Sequence, residues 1–236
     1  MIMAGGVGRR MGIALPKQFA QLGGRSVVER AVDAFDGHEG IDAVAVVVHP
    51  DWRERMEAIA EENKWRKLEK IVDGGSERYL SSLHAVEAFA EEAVESNLLL
   101  HDAARPLVSA AVIGRVVEAL RRWEAVGVGV PSRDTVWTVG SDGEEFIVDQ
   151  IPERRTMWLA QTPQAFRLRL LREAYQKAAS EGFGWATDDC GMVRRYCEST
   201  AIHVVEGDEL NFKITTAADL ARARSYIEEK NDEKQC

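Results

Sequence analysis

Short apolar strand patterns alternate with amphipathic helix patterns along most of this 236-residue chain. The run Ala43–Val48 contains only alanine and valine, as expected of a strand that is buried on both faces. Residues 98–100 and 126–130 are similar, 70–73 are a weaker example, and helix patterns lie between them. This order predicts an α/β fold with a doubly wound, mostly parallel sheet and helices on both faces.

Polar side chains that can cap a helix mark several helix starts. Ser26, Asp51 and Thr216 each stand three residues before an acidic residue, which is the pattern of a capping box. Thr187 precedes a helix pattern over 188–196 and is predicted to cap that helix.

A hairpin pattern interrupts the alternation. Residues 134–139 and 146–148 have strand character, and the glycine-containing segment 140–143 is predicted to be the turn between them. A two-stranded hairpin is marginally stable alone, so an arm over about 132–155 is expected to pack on something, for example another subunit. We see no linker or repeat, and residues 1–236 are predicted to form a single domain with this protruding β-arm.

Three loops follow predicted strands, at residues 4–17, 74–82 and 101–106. Ligands of doubly wound sheets bind beyond the carboxyl ends of the strands, so these loops are expected to converge. The strand before the first loop, residues 1–3, is very short for a central position. Either the true start lies upstream of Met1 or the strand is truncated, and the sequence leaves both open.

Composition excludes several classes of function. The net charge is −9 and the pI is near 5.2, whereas duplex-binding domains are usually basic, so nucleic acid is not an expected partner. Hydrophobic residues make up 45% of the chain, and no stretch approaches the roughly 20 apolar residues of a membrane span. The start lacks the pattern of a signal peptide, so a cytoplasmic protein without membrane association is predicted.

The first loop is rich in glycine and is followed by basic residues. Gly6 and Gly8 would begin a dinucleotide-binding fingerprint, but Met11 stands where its third glycine is required. What remains is a loop whose backbone N–H groups can approach phosphates, with Arg10 and Lys17 beyond it. The alternative is a tight turn between a strand and a helix, with solvated arginines.

The charge of this loop favours a triphosphate ligand. In nucleotidyl transfer a phosphate oxygen attacks the α-phosphorus, and negative charge accumulates on the phosphate oxygens and on the leaving pyrophosphate. Preorganised positive charge therefore accelerates the reaction, and one well-placed arginine contributes about 10³–10⁵ in rate. Arg10 and Lys17 are the candidates, and an acceptor that is already an anion needs no general base.

Motifs along nearly the whole chain resemble those of one enzyme family. The first is Ala4-Gly5-Gly6-x-Gly8-x-Arg10-Met11, which is followed by Pro16-Lys17-Gln18-Phe19. The others, in the family order, are GGSER at 74–78, HDAARP at 101–106, RDT at 133–135, QTPQ at 161–164, ATDD at 186–189 and NFKIT at 211–215.

These motifs are similar to those of the 2-C-methyl-D-erythritol 4-phosphate cytidylyltransferases. The resemblance implies a Rossmann-like sheet of the nucleotidyltransferase type. It also implies that CTP condenses with 2-C-methyl-D-erythritol 4-phosphate to give the CDP-alcohol and pyrophosphate, in isoprenoid precursor biosynthesis.

The resemblance also implies a role for each matching residue. Arg10 and Lys17 match the transition-state stabilisers of the family. The nucleotide is held, largely through backbone groups, at Ala4, Gly5, Gly6, Gly8, Gly75, Ser76, Ser81 and Ala103. The polyol phosphate is contacted by Asp102, Arg105, Thr135, Arg154, Thr162, Thr187 and Lys213, of which Arg154 and Lys213 position it for attack.

Some of these roles have alternatives. Asp102 is implied to lie near Mg²⁺, directly or through water, and its alternative role is to brace the loop. Thr187 could act only as a helix cap. The family assembles as a homodimer in which each β-arm reaches over the partner, so that Thr135 and Arg154 would act across the interface.

The sequence leaves two other functions open. Residues 15–19 and 151–154 resemble the enzymes that make CDP-ribitol from ribitol 5-phosphate, whereas 102–106 and 133–135 favour methylerythritol phosphate. A pocket distinguishes two such similar acceptors by roughly 1–3 kcal/mol. A catalytically silent nucleotide-binding protein is the other alternative, and the presence of both basic residues of the first loop argues against it.

Overall fold

The computed structural model of the chain describes residues 1–6, 15–89, 91–92, 95–143, 145–181 and 187–232. The strands are β1 (Ile2–Ala4), β2 (Gln21–Leu22), β3 (Arg25–Ser26), β4 (Val44–Val48), β5 (Leu68–Asp73), β6 (Asn97–Asp102), β7 (Ala125–Pro131), β8 (Thr138–Asp142), β9 (Glu145–Gln150), β10 (Trp158–Arg167) and β11 (Ile202–Glu206). The α-helices are α1 (Val27–Asp36), α2 (Arg53–Asn63), α3 (Arg78–Glu87), α4 (Ala110–Ala119), α5 (Leu168–Ser180), α6 (Asp189–Tyr196) and α7 (Ala217–Asp232).

A seven-stranded sheet in the order β11-β7-β10-β6-β1-β4-β5 forms the centre of the fold. β10 runs antiparallel to its neighbours β6 and β7, and the other pairings are parallel. Because side chains alternate across a strand, Val46 and Val48 of β4 pack in one apolar cluster with α1 and α4, whereas Ala45 and Val47 pack in a second with α3, α5 and α6. The predicted doubly wound, mostly parallel α/β fold is confirmed. None of the described helices is long and apolar enough to cross a membrane.

Two of the predicted helix caps are confirmed. The Ser26 hydroxyl accepts a hydrogen bond from the backbone N–H of Glu29, whose carboxylate accepts one from the N–H of Ser26 (2.7 Å). Thr216 and Asp219 make the same reciprocal pair at the start of α7. In both places the side chains satisfy backbone donors that have no partner within the helix.

The other two predicted caps are wrong. The helix after Asp51 begins only at Arg53, behind Trp52, because a short 3₁₀ turn over 50–52 comes first. At α6 the cap is Asp188, whose Oδ1 accepts from the N–H of Gly191 (2.7 Å), while Thr187 stands one residue outside the helix and is exposed. Asp188 offers an equally good acceptor one position closer to the first helical turn.

The ten-residue strand β10 was not predicted from the sequence. A proline in a strand interior argues against a central strand, because it cannot donate to the ladder. The structure accommodates Pro163, which follows a cis peptide bond, at a shift in pairing register between Gln161 and Ala165. This irregularity lies beside β6, which leads into the loop at 101–106.

Strands β8 and β9 form a separate two-stranded antiparallel sheet within the segment predicted to be an arm. The predicted turn is misplaced, because Gly140 lies inside β8 and pairs with Ile147. Gly143, with φ of +64°, occupies the turn, where a left-handed backbone favours glycine. The single-domain organisation of residues 1–236 stays a prediction.

Candidate active site

One cavity of about 410 Å³ lies beyond the carboxyl ends of four neighbouring strands. Its lining includes Gly5 and Gly6 after β1, His49 after β4, Gly75 and Ser76 after β5, and Ala103 after β6. Lys17 and Lys213 also line it. The three loops that were expected to converge therefore meet at one site.

The glycine-containing loop after β5 is held close to α3, the helix that follows it. A Cβ atom on Gly75 would lie 2.2 Å from the Cβ of Leu80, so no other residue fits there without displacement of the backbone. The buried Ser81 hydroxyl accepts from the N–H of Gly75 (3.1 Å) and donates to the carbonyl of Glu77 (3.2 Å). Ser81 thus shapes the loop from within.

Two neighbouring side chains anchor the opposite wall. The buried amide of Gln18 donates to the carbonyls of Ala4 (2.8 Å) and Gly6 (2.9 Å), which holds the end of β1 in place. The ammonium group of Lys17 donates to the carbonyl of Ile214 (2.9 Å). A cation of the first motif is thereby tied to the segment that carries Lys213.

Asp102 is a largely buried carboxylate at the cavity, surrounded by cations. Its Oδ2 lies 2.8 Å from Lys213 Nζ and 3.7 Å from Arg105 Nε. Burial alone would raise the pKa of Asp102, but the charges of Lys213, Arg78 and Arg105 outweigh it and lower that pKa to about 2. The carboxylate is therefore ionised at neutral pH.

A buried histidine braces the backbone of Asp102. His101 Nε2 faces the carbonyl of Arg105 (3.1 Å) and must donate to it, so Nδ1 of the neutral ring accepts from the hydroxyl of Thr162 (3.0 Å). The Thr162 oxygen in turn accepts from the N–H of Asp102 (3.0 Å). Burial lowers the pKa of His101 to about 4, which keeps the ring neutral.

The structure gathers some of the predicted site residues and leaves others apart. Those that line the cavity are Ala4, Gly5, Gly6, Lys17, Gly75, Ser76, Ser81, Asp102, Ala103 and Lys213. Arg105 and Thr162 contact the Asp102 segment from outside the lining, whereas Thr135, Arg154 and Thr187 are exposed and not part of it. Gly8 and Arg10 lie outside the described residues.

Sequence reasoning missed several polar residues of this site, among them three that organise its wall. Gln18, Arg78 and His101 all belong to motifs quoted above, and each makes a hydrogen bond that organises the cavity wall. The signal in the sequence was that each is a polar residue within one of these motifs. It could not reveal their partners, because those lie between 4 and 111 positions away in the chain.

Among the described residues, no group of three or more His, Cys, Asp or Glu side chains could hold a metal ion. Two carboxylates, Asp102 and Glu77, line the cavity, and the low pKa of Asp102 keeps that group ionised at neutral pH. This donor set fits Mg²⁺, which is commonly bound by one or two carboxylates together with the phosphates of a substrate.

Glycine loops that let backbone approach phosphates, and cations fixed beside them, are what the transfer of a nucleotidyl group requires. The fold and the cavity together define the class of nucleotidyltransferases. A family model described as "IspD: 2-C-methyl-D-erythritol 4-phosphate cytidylyltransferase" matches residues 1–229, and the chain belongs to this family.

Individual relatives carry the name of this family's activity or of a CDP-ribitol activity. A protein of Thermobifida fusca (strain YX) named 2-C-methyl-D-erythritol 4-phosphate cytidylyltransferase is 42% identical over 228 residues, which cover 96% of this chain and 91% of that protein. A Haemophilus influenzae protein named bifunctional ribulose 5-phosphate reductase/CDP-ribitol pyrophosphorylase Bcs1 is 35% identical over 98% of this chain and 48% of its own length. The crystal structure of 4-diphosphocytidyl-2C-methyl-D-erythritol synthase from Anaerococcus prevotii superposes with a TM-score of 0.83 at 29% identity, over 96% of each chain.

Proposed function

We propose that this protein transfers the cytidylyl group of CTP to 2-C-methyl-D-erythritol 4-phosphate and releases pyrophosphate. The observation that carries the proposal is the convergence of the glycine loops, Lys17, Lys213 and the ionised Asp102 on one cavity. The names of the Thermobifida fusca and Anaerococcus prevotii relatives specify the same reaction.

The chemistry is an in-line exchange of phosphate oxygens. An oxygen of the acceptor phosphate forms a bond to the α-phosphorus of CTP, while the bond from that phosphorus to the bridging oxygen of the β-phosphate breaks and pyrophosphate leaves. Lys17 and Arg10 stabilise the charge that develops on the phosphate oxygens. The acceptor is an anion before it reacts, so the site needs positioned cations rather than a base.

We assign the two substrates to different parts of the site. Backbone groups of the loops after β1, β5 and β6 bind the cytidine part, at Ala4, Gly5, Gly6, Gly8, Gly75, Ser76, Ser81 and Ala103. The polyol phosphate is contacted by Asp102, Arg105, Thr135, Arg154, Thr162, Thr187 and Lys213. Asp102 would hold Mg²⁺ together with the phosphates, and the bound cation would neutralise triphosphate charge.

Thr135 and Arg154 lie outside the cavity lining, which supports a contribution from a second subunit. The arm exposes a run of large apolar side chains, and Phe146 is 84% exposed. A homodimer in which each arm covers the partner would bury this face and bring Thr135 and Arg154 to the partner's cavity. A cytoplasmic location stays a prediction.

Pyrophosphate release tests the proposed reaction. Purified protein is given CTP and Mg²⁺ with either 2-C-methyl-D-erythritol 4-phosphate or ribitol 5-phosphate, and initial rates are compared. We expect the higher kcat/KM with methylerythritol phosphate. A higher value with ribitol 5-phosphate would favour the activity in the name of the Haemophilus influenzae relative, and no pyrophosphate with either acceptor would overturn the proposal.

The acceptor side of the site is tested by Arg154→Ala. This variant should raise the KM for the polyol phosphate and leave the KM for CTP nearly unchanged. Arg155→Ala is the matched control, because Arg155 is equally exposed and pairs with Glu153. A rise in the KM for CTP instead would show that the acceptor pocket is misassigned.

A further inference from the structure

An arginine at the cavity is joined to a carboxylate in the interior of the protein. Arg78, the first residue of α3, lines the cavity, and its Nη2 donates to Oδ2 of Asp189 (2.7 Å). Asp189 is the first residue of α6 and is fully buried, with 0% exposure. A buried carboxylate is unfavourable unless it is paired, so the pair must form for the fold to tolerate Asp189.

The other groups around Asp189 fix its orientation. Its Oδ1 accepts from the hydroxyl of the buried Tyr175 (2.7 Å), and its backbone N–H donates to Oε1 of Gln164 (3.0 Å). Tyr175 of α5 thus holds the carboxylate, and Gln164 of β10 holds the backbone of the same residue. The arginine therefore meets an acceptor whose position is set before any ligand arrives.

Arg78 also acts electrostatically on the cavity. Its charge contributes to lowering the pKa of Asp102. Burial alone would lower the pKa of Arg78, but the charge of Asp189 and the hydrogen bond to it raise that pKa above its usual value. The Arg78 side chain is 35% exposed, and its Nη1 also donates to the hydroxyl of Ser82 (3.3 Å). The contacts with Asp189 and Ser82 use two of the five N–H donors of the guanidinium, which leaves donors for a ligand.

We propose that Arg78 contacts a phosphate group bound in the cavity and that Asp189, oriented by Tyr175, is the residue that positions Arg78. This inference deepens the proposed function and rests on it for the reaction, but not for the binding of a phosphate group. A guanidinium can satisfy a buried carboxylate with one edge and present further donors to a phosphate. Tyr175 and Asp189 act on the phosphate only through Arg78.

A double-mutant cycle separates positioning from direct action. Arg78→Met should lower kcat/KM by about 10²-fold, and Asp189→Asn, which keeps the shape and loses the charge, by about 10-fold. Combined with Arg78→Met, Asp189→Asn should produce no further loss, because the group it positions is gone. Equal losses from Asp189→Asn in both backgrounds would overturn the positioning role.

Two milder variants keep the test open if Asp189→Asn does not fold. Tyr175→Phe removes one hydrogen bond from Asp189 and should reduce kcat/KM only when Arg78 is present. Arg78→Lys should recover part of the activity that Arg78→Met loses, which a purely structural ion pair would not require. Lys177→Met, which breaks the exposed pair to Glu173 on α5, is the matched control and should leave kcat/KM unchanged.

Binding measurements show which phosphate Arg78 contacts, that of CTP or that of the polyol. They test this inference even if the proposed reaction is wrong. Calorimetric titration with CTP and Mg²⁺ measures binding of the triphosphate and requires neither the acceptor nor turnover. The KM for the polyol phosphate reports binding of the acceptor phosphate. A weaker CTP affinity in Arg78→Met places the contact on the triphosphate, whereas an effect confined to the polyol phosphate places it on the acceptor. If both are within about twofold of the unmodified protein, Arg78 contacts neither, even if the protein releases pyrophosphate normally.

Discussion

Different interactions organise two regions of the molecule: the carboxyl edge of the sheet, which is the side where the strands end and the cavity lies, and the β8–β9 arm. At the carboxyl ends of the strands, the largely buried carboxylate of Asp102 and the fully buried one of Asp189 are paired with cations of the same chain. On the arm, Trp137, Phe146 and Ile147 are each more than half exposed. Charge and hydrogen bonding shape the first region, and an apolar surface that no described part of the chain covers defines the second.

The two regions should therefore respond to different changes in solution conditions and in sequence. Groups at the carboxyl edge titrate or pair with ions, so pH and charge substitutions should act there. The arm has a large apolar face and a backbone that forms only a two-stranded sheet, so protein concentration and apolar substitutions should act on it. Four experiments can sharpen or break this contrast.

The largest effect is expected for Lys17→Ala at the carboxyl edge. Loss of this cation should reduce turnover at least ~10³-fold, equivalent to about 4 kcal/mol of transition-state stabilisation, without preventing folding. Steady-state rates of pyrophosphate release measure it. Lys67→Ala is the matched control, since Lys67 also donates to a backbone carbonyl, that of His38, but stands before β5 at the opposite edge of the sheet. Near-normal turnover of Lys17→Ala would remove this residue from the mechanism.

The second effect is a pH-dependent stability contributed by His101. Burial lowers the pKa of this ring from 6.5 to about 4, so the unfolded chain takes up a proton in a range where the folded protein does not. The contribution is fully present above pH 6.5 and is lost as the pH falls to about 4, with a total of about 3 kcal/mol.

Urea unfolding at several pH values measures this slope. His101→Gln should be less stable at neutral pH and should lose less stability than the unmodified protein between pH 6.5 and 4. His203→Gln, on the half-buried edge strand β11, should keep the original slope. Identical slopes in His101→Gln and the unmodified protein would show that the ring does not control stability in this range.

The third effect concerns association through the arm. Phe146→Ser should raise the dissociation constant of the proposed dimer by about 30-fold, because the two partly buried Phe146 side chains of a dimer together lose about 2 kcal/mol of apolar burial. Sedimentation at several protein concentrations measures it. Val204→Ser is a control on an exposed apolar residue of β11, outside the arm. A monomer at all concentrations in the unmodified protein would contradict the proposed dimer directly.

The smallest effect is expected at the turn of the arm. Gly143→Ala forces a side chain into a left-handed backbone, φ +64°, and should destabilise the hairpin by about 1 kcal/mol. Gly140→Ala is the matched control, because Gly140 lies in the same hairpin, has no positive φ, and a Cβ there would meet no atom within 4 Å. Only Gly143→Ala should weaken dimerisation, and neither should change the unfolding of the sheet domain.

The parts of the fold that local pattern determines were predictable. The valine run of β4 and the capping box at Ser26 need only neighbouring residues, and both were predicted correctly. β10 was missed because Pro163 disguises a buried strand, and its irregular pairing depends on β6 and β7. The turn of the arm was misplaced because only a backbone angle distinguishes Gly143 from Gly140.

The candidate site also contains features that the sequence predicts and features that it does not. Residues in loops after strands, such as Gly75 and Asp102, could be placed at one edge from topology alone. The hydrogen-bond partners in the site could not be predicted. Arg78 and Asp189, for example, lie 111 positions apart in the chain, and no sequence period relates the two. Thr162 illustrates the difference, since the sequence marks it as a motif residue but not as the hydrogen-bond partner of His101.

β10 gives these two regions a common support. Its exposed beginning, Trp158 and Leu159, pairs with the end of β7 at the base of the arm, and its buried part contains Thr162 and Gln164. The first part of β10 is held on one side, by β7, and its last part on both sides, by β6 and β7, with the shift in register between Gln161 and Ala165 dividing the two. Thr162, which accepts from the N–H of Asp102, and Gln164, which bonds the start of α6, lie only three and five residues beyond Leu159, so the base of the arm and the cavity wall are built from one short stretch of chain.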